Sequence, residues 1–272
     1  MILDGNCQFF GKDEVSPLLR GMDAAGIDKT LLSASLEGAV IPGREKPLRG
    51  VGNTEVAAAV TAHPTRFIGC FHLNPTDAGA RRTVDEYSDR GFRAVKLFPA
   101  EGYHLDDPRF YDLFDLIQER GLAAIVYCGQ VMMGMSHDGG RRRALNSAYG
   151  YPMRVDAPCR LFPRIRFVIV HMGFPFIFEA WSVHHANKNV YLDISGTGAC
   201  FDGLPVGYAA VGGPAFIPLD FDKVVWGSDN AENPVAVRAV ADTYLRLMGC
   251  ADNGQRAGVF GATAAKLLGI TG

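Results

Sequence analysis

The chain has 272 residues, a net charge of -2 and a pI near 6.4, so charge gives no reason to expect nucleic acid or an anionic membrane as partner. Its six cysteines (Cys7, Cys70, Cys128, Cys159, Cys200, Cys250) are scattered without a C-x-x-C pair and read as reduced thiols, which fits a cytoplasmic location better than secretion. No basic start with an apolar signal segment precedes the first apolar run, and no run nears the ~20 residues of a membrane span, so a soluble protein is expected.

In chain order, short apolar runs predict strands at about 2–9, 30–35, 67–73, 93–98, 123–128, 166–171, 190–195 and 223–228. Nearly every residue in these runs is apolar, as in parallel strands covered on both faces. Amphipathic stretches at 13–25, 53–62, 78–90, 107–119 and 235–248 predict the helices between them. Gly26, Gly91, Gly121 and Gly249 follow four of these, where a left-handed residue stops a helix. Strand and helix in alternation predict an α/β fold, a (β/α)8 TIM barrel spanning 1–272 as one domain, with its chemistry at the C-terminal strand ends. Two long connections, 36–52 and 130–163, are candidate lids over that face.

Five segments carry a resemblance. They are Gly21-Met22-Asp23-Ala24-Ala25-Gly26-Ile27-Asp28-Lys29, His63-Pro64-Thr65-Arg66-Phe67, Gly91-Phe92-Arg93-Ala94-Val95-Lys96-Leu97, Val170-His171-Met172-Gly173 and Gly227-Ser228-Asp229. In this order they resemble the amidohydrolase-related family, in the branch with aminocarboxymuconate-semialdehyde decarboxylase, γ-resorcylate decarboxylase and the pyrone-dicarboxylate lactonase. The resemblance implies metal ligands at four strand ends: His-x-His on the first, His on the fifth, His on the sixth and Asp on the eighth. Here Asn6 and Gln8 stand at the first pair and Tyr127 at the fifth-strand position; only His171 and Asp229 match.

Neutral amides are poor zinc ligands. Cys7 and Cys128 adjoin the altered positions, but strand alternation points them outward, toward the helices. No cofactor is therefore expected; were zinc or another divalent ion bound, His171 and Asp229 would be its ligands.

Asp229, at a strand end, reads as a general base, the alternative being a helix cap. His171 reads as a group that polarises a substrate carbonyl or shuttles the proton, the alternative being a satisfied core histidine. Tyr127, Asn6 and Gln8 suit an oxyanion-binding floor, or fill space and satisfy one another. Lys96 suits a substrate carboxylate, a Schiff base or an ion pair with a neighbouring acid. His72 is a substitute acid–base candidate. Arg49 (with Arg44 and Lys46) and Arg154 (with Arg141, Arg142 and Arg143) lie in the long loops as carboxylate clamps or as solvated surface.

The second loop also holds Met132, Met133, Met135, Tyr149 and Tyr151, a lid or dimer set, with His137 and Asp138. His184 and His185 are expected on the exterior, and His63 and His104 at loop or helix ends.

The function expected is a metal-independent hydrolase opening a lactone, ester or similar acyl bond of a small carboxylated or aromatic substrate. The lactonase branch of the resemblance is understood to work without a catalytic metal. A decarboxylase, another lyase or a cyclase on the same barrel is the alternative, and a non-catalytic binding protein the third reading. A symmetric homodimer is the default assembly.

Overall fold

Apolar runs flanked by amphipathic helices can hide both faces only if the strands lie side by side beneath the helices, and they do so here. The structure, a computed structural model, describes residues 1–10, 15–36, 50–131, 136–138, 141–143, 145–196, 219–229, 234–250 and 252–270, with 136–138 and 141–143 described by backbone alone. Strands β1 (Leu3–Gln8), β2 (Lys29–Ser33), β3 (Phe67–Leu73), β4 (Ala94–Leu97), β5 (Ala123–Val126), β8 (Phe167–Ile169), β9 (Val190–Asp193) and β10 (Val224–Val225) form one sheet of eight parallel strands in chain order. Strands β6 (Ser136–Asp138) and β7 (Arg141–Arg143) form a separate antiparallel pair inside the connection read as a lid, a hairpin that the sequence reading did not anticipate.

The ring nearly closes where its ends meet. Gly5 donates its backbone N–H to Trp226 at 2.8 Å, and the Asp229 N–H reaches the Asn6 carbonyl at 2.9 Å. A Cβ on Gly227 would fall 2.6 Å from the Asn6 carbonyl oxygen, so this seam requires glycine.

Helices α1 (Val15–Ala25), α2 (Asn53–Ala62), α3 (Ala80–Asp89), α4 (Tyr111–Glu119), α5 (Asp156–Leu161), α6 (Ile177–Ala186) and α7 (Pro234–Leu247) follow strands around the ring. The chain then adds α8 (Asn253–Ala257) and α9 (Thr263–Leu267). Gly26, Gly91, Gly121 and Gly249 all take positive φ at the helix stops expected of them.

Strand alternation divides the core into two shells. Cys7, Leu32, Phe71, Leu73, Leu97 and Val126 face outward against the helices; Leu31, Cys70, Ala94, Ile125, Val168 and Val225 fill the barrel. Cys7 and Cys128 both belong to the outer shell, as alternation required. His184, expected on the exterior, is instead fully buried on the inner face of α6, its Nδ1 on the Val190 carbonyl at 3.0 Å, because α6 turns that face to the barrel. Burial and the nearby Lys223 charge pull its pKa down to about 4. His185 is exposed. Among the described residues no helix is long and apolar enough to cross a membrane.

Candidate active site

β1 brings two amides into the mouth. Its register against β2 slips between Asp4 and Cys7, a bulge that aims Asn6 and Gln8 into the barrel. Asp4 secures the bulge, accepting from the Asn6 and Ser228 N–H groups at 3.2 and 2.9 Å and from the Ser228 hydroxyl at 2.6 Å. Burial pushes this carboxyl up to about 7 against those hydrogen bonds.

Each amide is wedged between a donor on one side of the barrel and a carboxylate on the other. Lys96 Nζ donates to Gln8 Oε1 at 2.8 Å, and Gln8 Nε2 donates to Asp229 Oδ1 at 2.9 Å. Tyr127 donates its hydroxyl to Asn6 Oδ1 at 2.9 Å, and Asn6 Nδ2 donates to Asp193 Oδ2 at 2.9 Å and Ser195 Oγ at 3.0 Å. The two chains run in parallel from β4 and β5 across β1 to the ends of β10 and β9. Tyr127 and Asn6 thus direct these donors at protein oxygens. Burial, with the Asp229 and Asp193 charges adding to it, holds the Tyr127 phenol well above its ordinary pKa, so it stays a proton donor.

Lys96 is fully buried, and its further contacts are the Ala34 carbonyl at 3.1 Å and the Tyr127 ring at 4.2 Å. Burial pulls its ammonium down to about 8, while nearby Cys70, Asp229 and Glu101 act in the opposite sense. Among the described residues it binds neutral oxygens, where an ion pair with a strand-end acid was one expectation.

His171 and Asp229 come together. His171 Nδ1 lies 3.0 Å from the Ser195 carbonyl oxygen, which can only accept, so Nδ1 carries the hydrogen. It also lies 3.0 Å from Ser195 Oγ, whose own hydroxyl donates to Asp193 through a short contact. Nε2 then faces Asp229 Oδ2 at 3.7 Å, with side-chain exposures of 16% and 24%. Burial raises the Asp193 carboxyl, opposed by His171 and by hydrogen bonds from Ser195 and Asn6. His171, Met172 and Asp229, at φ 54°, 49° and 52°, are the non-glycine residues with positive φ among those described. Such backbone costs roughly 1–3 kcal/mol per residue and gathers at functional sites.

A second pair stands three strands away. His72, in register with Lys96, holds Glu101 through Nε2 and Oε2 at 2.7 Å. The other sequence candidates lie apart. Arg154 is bound to Asp106 at 2.8 and 3.0 Å, so the clamp read as reaching into the mouth is engaged elsewhere. Tyr149 packs against the His104 ring at a tilt of 36°, and Tyr151 meets Phe176 edge-on. His63 caps α2. Arg44, Lys46, Arg49, Met132, Met133 and Met135 fall outside the described residues, as do the side chains of His137, Asp138, Arg141, Arg142 and Arg143.

Asp193, Ser195 and Glu101 escaped the sequence reading. The signal for the first two was Tyr191-Leu192-Asp193-Ile194-Ser195, two polar residues a strand period apart at the end of an apolar run. Glu101 carried none, because it follows β4 on a short helical turn.

The donor set can be tested against the divalent ion that the resemblance implies. Asn6 offers its oxygen to a phenol and Gln8 offers its oxygen to an ammonium, so neither is turned toward a cation. Among the described residues no three His, Cys, Asp or Glu side chains form a group that could hold a metal. These residues do not fit the ion.

Comparison with known proteins places the fold. The 5-carboxyvanillate decarboxylase of Sphingomonas paucimobilis is 22% identical, with 95% of this chain and 84% of that one covered and a TM-score of 0.62. A probable 2-pyrone-4,6-dicarboxylic acid hydrolase of Acinetobacter baumannii, solved with citric acid, is 12% identical over 99% of each chain, with a TM-score of 0.66. A dihydroxybenzoic acid decarboxylase of Polaromonas, solved with manganese and 2-nitroresorcinol, is 14% identical over 94% of this chain and 86% of its own, with a TM-score of 0.63. At such identities the likeness shows the barrel alone. A search of curated proteins finds no match. The family model for amidohydrolases matches residues 12–270, and the chain belongs to that family, whose members include decarboxylases and hydrolases.

Proposed function

We propose that this chain is a metal-independent hydrolase that opens a lactone, ester or similar acyl bond of a small carboxylated or aromatic substrate. The observation that carries the proposal is the convergence of His171 Nε2 and Asp229 Oδ2 at 3.7 Å in the mouth. With the hydrogen on Nδ1 and Nε2 bare, His171 presents a lone pair, and in that form two acceptors face one space. A water molecule there would give one hydrogen to each and turn its own lone pair toward a substrate carbonyl. Asp229 takes the proton as the C–O bond forms, and His171 orients the water. Gln8 keeps Asp229 Oδ1 occupied, which leaves Oδ2 for this task. Asp193, through Ser195, holds the imidazole in the required tautomer. Tyr127 and Asn6 brace the network from below.

The test compares wild type with Asp229→Asn on lactones and aryl esters, after purification without added metal and with chelator present. Asparagine still accepts from Gln8, so the fold is kept while the base is lost. Hydrolysis that survives chelation and falls about 100- to 10,000-fold in the variant is expected, the usual weight of a general base. Equal turnover by both proteins removes Asp229 as base; activity abolished by chelator removes the metal-free reading. Release of carbon dioxide from aromatic acids, without hydrolysis, would favour the decarboxylase alternative.

A further inference from the structure

Acyl hydrolysis moves protons at two places: one leaves the attacking water and another must reach the departing oxygen. His171 and Asp229 serve the first. The described mouth contains a second histidine–carboxylate pair that the mechanism above leaves unused.

His72 lies at the penultimate position of β3, and its neighbours Phe71 and Leu73 both pack in the outer shell, while Cys70 fills the inside. Alternation therefore turns His72 inward, level with Lys96, its register partner on β4. Its backbone is pinned on both sides by one side chain: the His72 N–H donates to Asn53 Oδ1 at 2.7 Å, and Asn53 Nδ2 donates to the His72 carbonyl at 2.9 Å. The ring is fixed as well, through Nε2 to Glu101 at 2.7 Å. Glu101 is held close, at 8% exposure, whereas His72 keeps 19%. An imidazole whose carboxylate partner is shielded while the ring itself stays open is placed to exchange protons with something in the mouth. Lys96, by contrast, is wholly enclosed.

We infer that His72 is the acid that protonates the leaving oxygen, with Glu101 as its positioning residue. This inference rests on the hydrolase proposal and deepens it. With Nε2 committed to Glu101, Nδ1 is the nitrogen that works, and no described residue takes it. After water adds, the tetrahedral carbon expels its alkoxide or phenoxide group. The C–O bond breaks with its electron pair on that oxygen, which accepts the His72 Nδ1 proton and leaves as an alcohol or phenol. The water proton resides on Asp229, and exchange with solvent returns one proton to His72, so one water is consumed per bond cleaved. β3 and the end of β8 stand three strands apart around the ring, which lets acid and base approach one acyl carbon from different sides.

The substrate class follows. An acid is worth having only when the leaving oxygen is a poor leaving group, so the natural bond is an alkyl ester or an aliphatic lactone rather than an activated aryl ester.

The experiment measures kcat and KM for δ-valerolactone and 4-nitrophenyl acetate with wild type, His72→Gln and Glu101→Gln, after circular dichroism has verified folding. For His72→Gln, kcat on δ-valerolactone is expected to fall about 100-fold or more, with kcat on 4-nitrophenyl acetate held within about threefold, since nitrophenolate departs unaided. Glu101→Gln shows the same split with a smaller loss. Parallel loss on both substrates, or no loss on either, overturns the inference and leaves the hydrolase proposal standing. Wild type inert toward both defeats that proposal and this one together. A His72→Gln protein that fails to fold hands the decision to Glu101→Gln, where loss without the split likewise overturns the inference.

Discussion

Lys96 and Asp229 hold opposite ends of one amide: the ammonium binds Gln8 Oε1 at 2.8 Å and the carboxylate receives Gln8 Nε2 at 2.9 Å. The amide can lie only one way, oxygen to the cation and nitrogen to the anion. It links a buried positive charge to the candidate base without letting the two neutralise each other by contact.

That linkage predicts non-additive stability. Gln8→Ala strips Lys96 of an acceptor and should cost about 3 kcal/mol, because a buried charge is left short of a partner. Lys96→Met removes both the charge and its demand, so it should cost less. Combined, the two should show coupling of about 1–3 kcal/mol, with Lys96→Met recovering stability that Gln8→Ala lost. Urea midpoints of the four proteins decide it; additive effects would mean the lysine does not depend on Gln8.

Ser195 should matter to rate and little to binding. Its hydroxyl lies between His171 Nδ1 and Asp193. Ser195→Ala removes one orienting hydrogen bond to a charged network, about 1.5–3 kcal/mol, hence a kcat loss of about 10- to 100-fold. KM should stay within about threefold, since this side chain is buried away from substrate. Steady-state kinetics on an ester that the wild type hydrolyses would show this; a change confined to KM contradicts it.

Asp4 gives a pH signature with a defined sign. Burial raises its carboxyl from 3.8 to about 7, so the folded protein holds a proton there that the unfolded chain has released. Its contribution is fully present below pH 3.8 and is lost as pH rises through about 7, at about 1.4 kcal/mol per pH unit inside that window. Asp4→Asn cannot titrate. The stability of wild type relative to this variant should therefore decline from pH 4 to pH 7 and level off above, with the slope supplied by the same pKa shift. Guanidinium unfolding of both proteins across that range measures the difference; a flat difference would refute the shift.

Gly227→Ala should injure the barrel seam. The new Cβ would lie 2.6 Å from the Asn6 carbonyl oxygen and 2.9 Å from its amide nitrogen, backbone atoms that cannot swing aside. An overpacked contact of this kind costs about 1–3 kcal/mol, and it would also shift Asn6 and the Asp229 N–H bonded to it. Thermal denaturation should show the loss; an unchanged midpoint would mean that the seam opens without cost.

How much was legible varies by element. Strand β3 and helix α2 were read with their observed bounds, at 67–73 and 53–62, because periodicity and helix stops are local properties of a chain. The hairpin of β6 and β7 was missed, since three-residue strands in a polar loop leave no periodicity to detect. His184 was misplaced because two adjacent histidines look alike in sequence, while α6 buries one and exposes the other.

By itself the sequence determined the strand–helix alternation and which residues of a strand share a face, Asn6 with Gln8 among them, while the place of Tyr127 and the pairing of His171 with Asp229 at the strand ends followed from the family resemblance. Periods of two and 3.6 residues dictate which side of an element a residue occupies, and strand order carries those sides into a ring. Only the tertiary structure decided which way each amide points, that Asp193 and Ser195 stand behind His171, and that Glu101 holds His72. Those choices depend on hydrogen bonds between residues far apart in the chain, 187 positions for Asn6 with Asp193 and 221 for Gln8 with Asp229, and a donor's direction is settled only when its partner arrives.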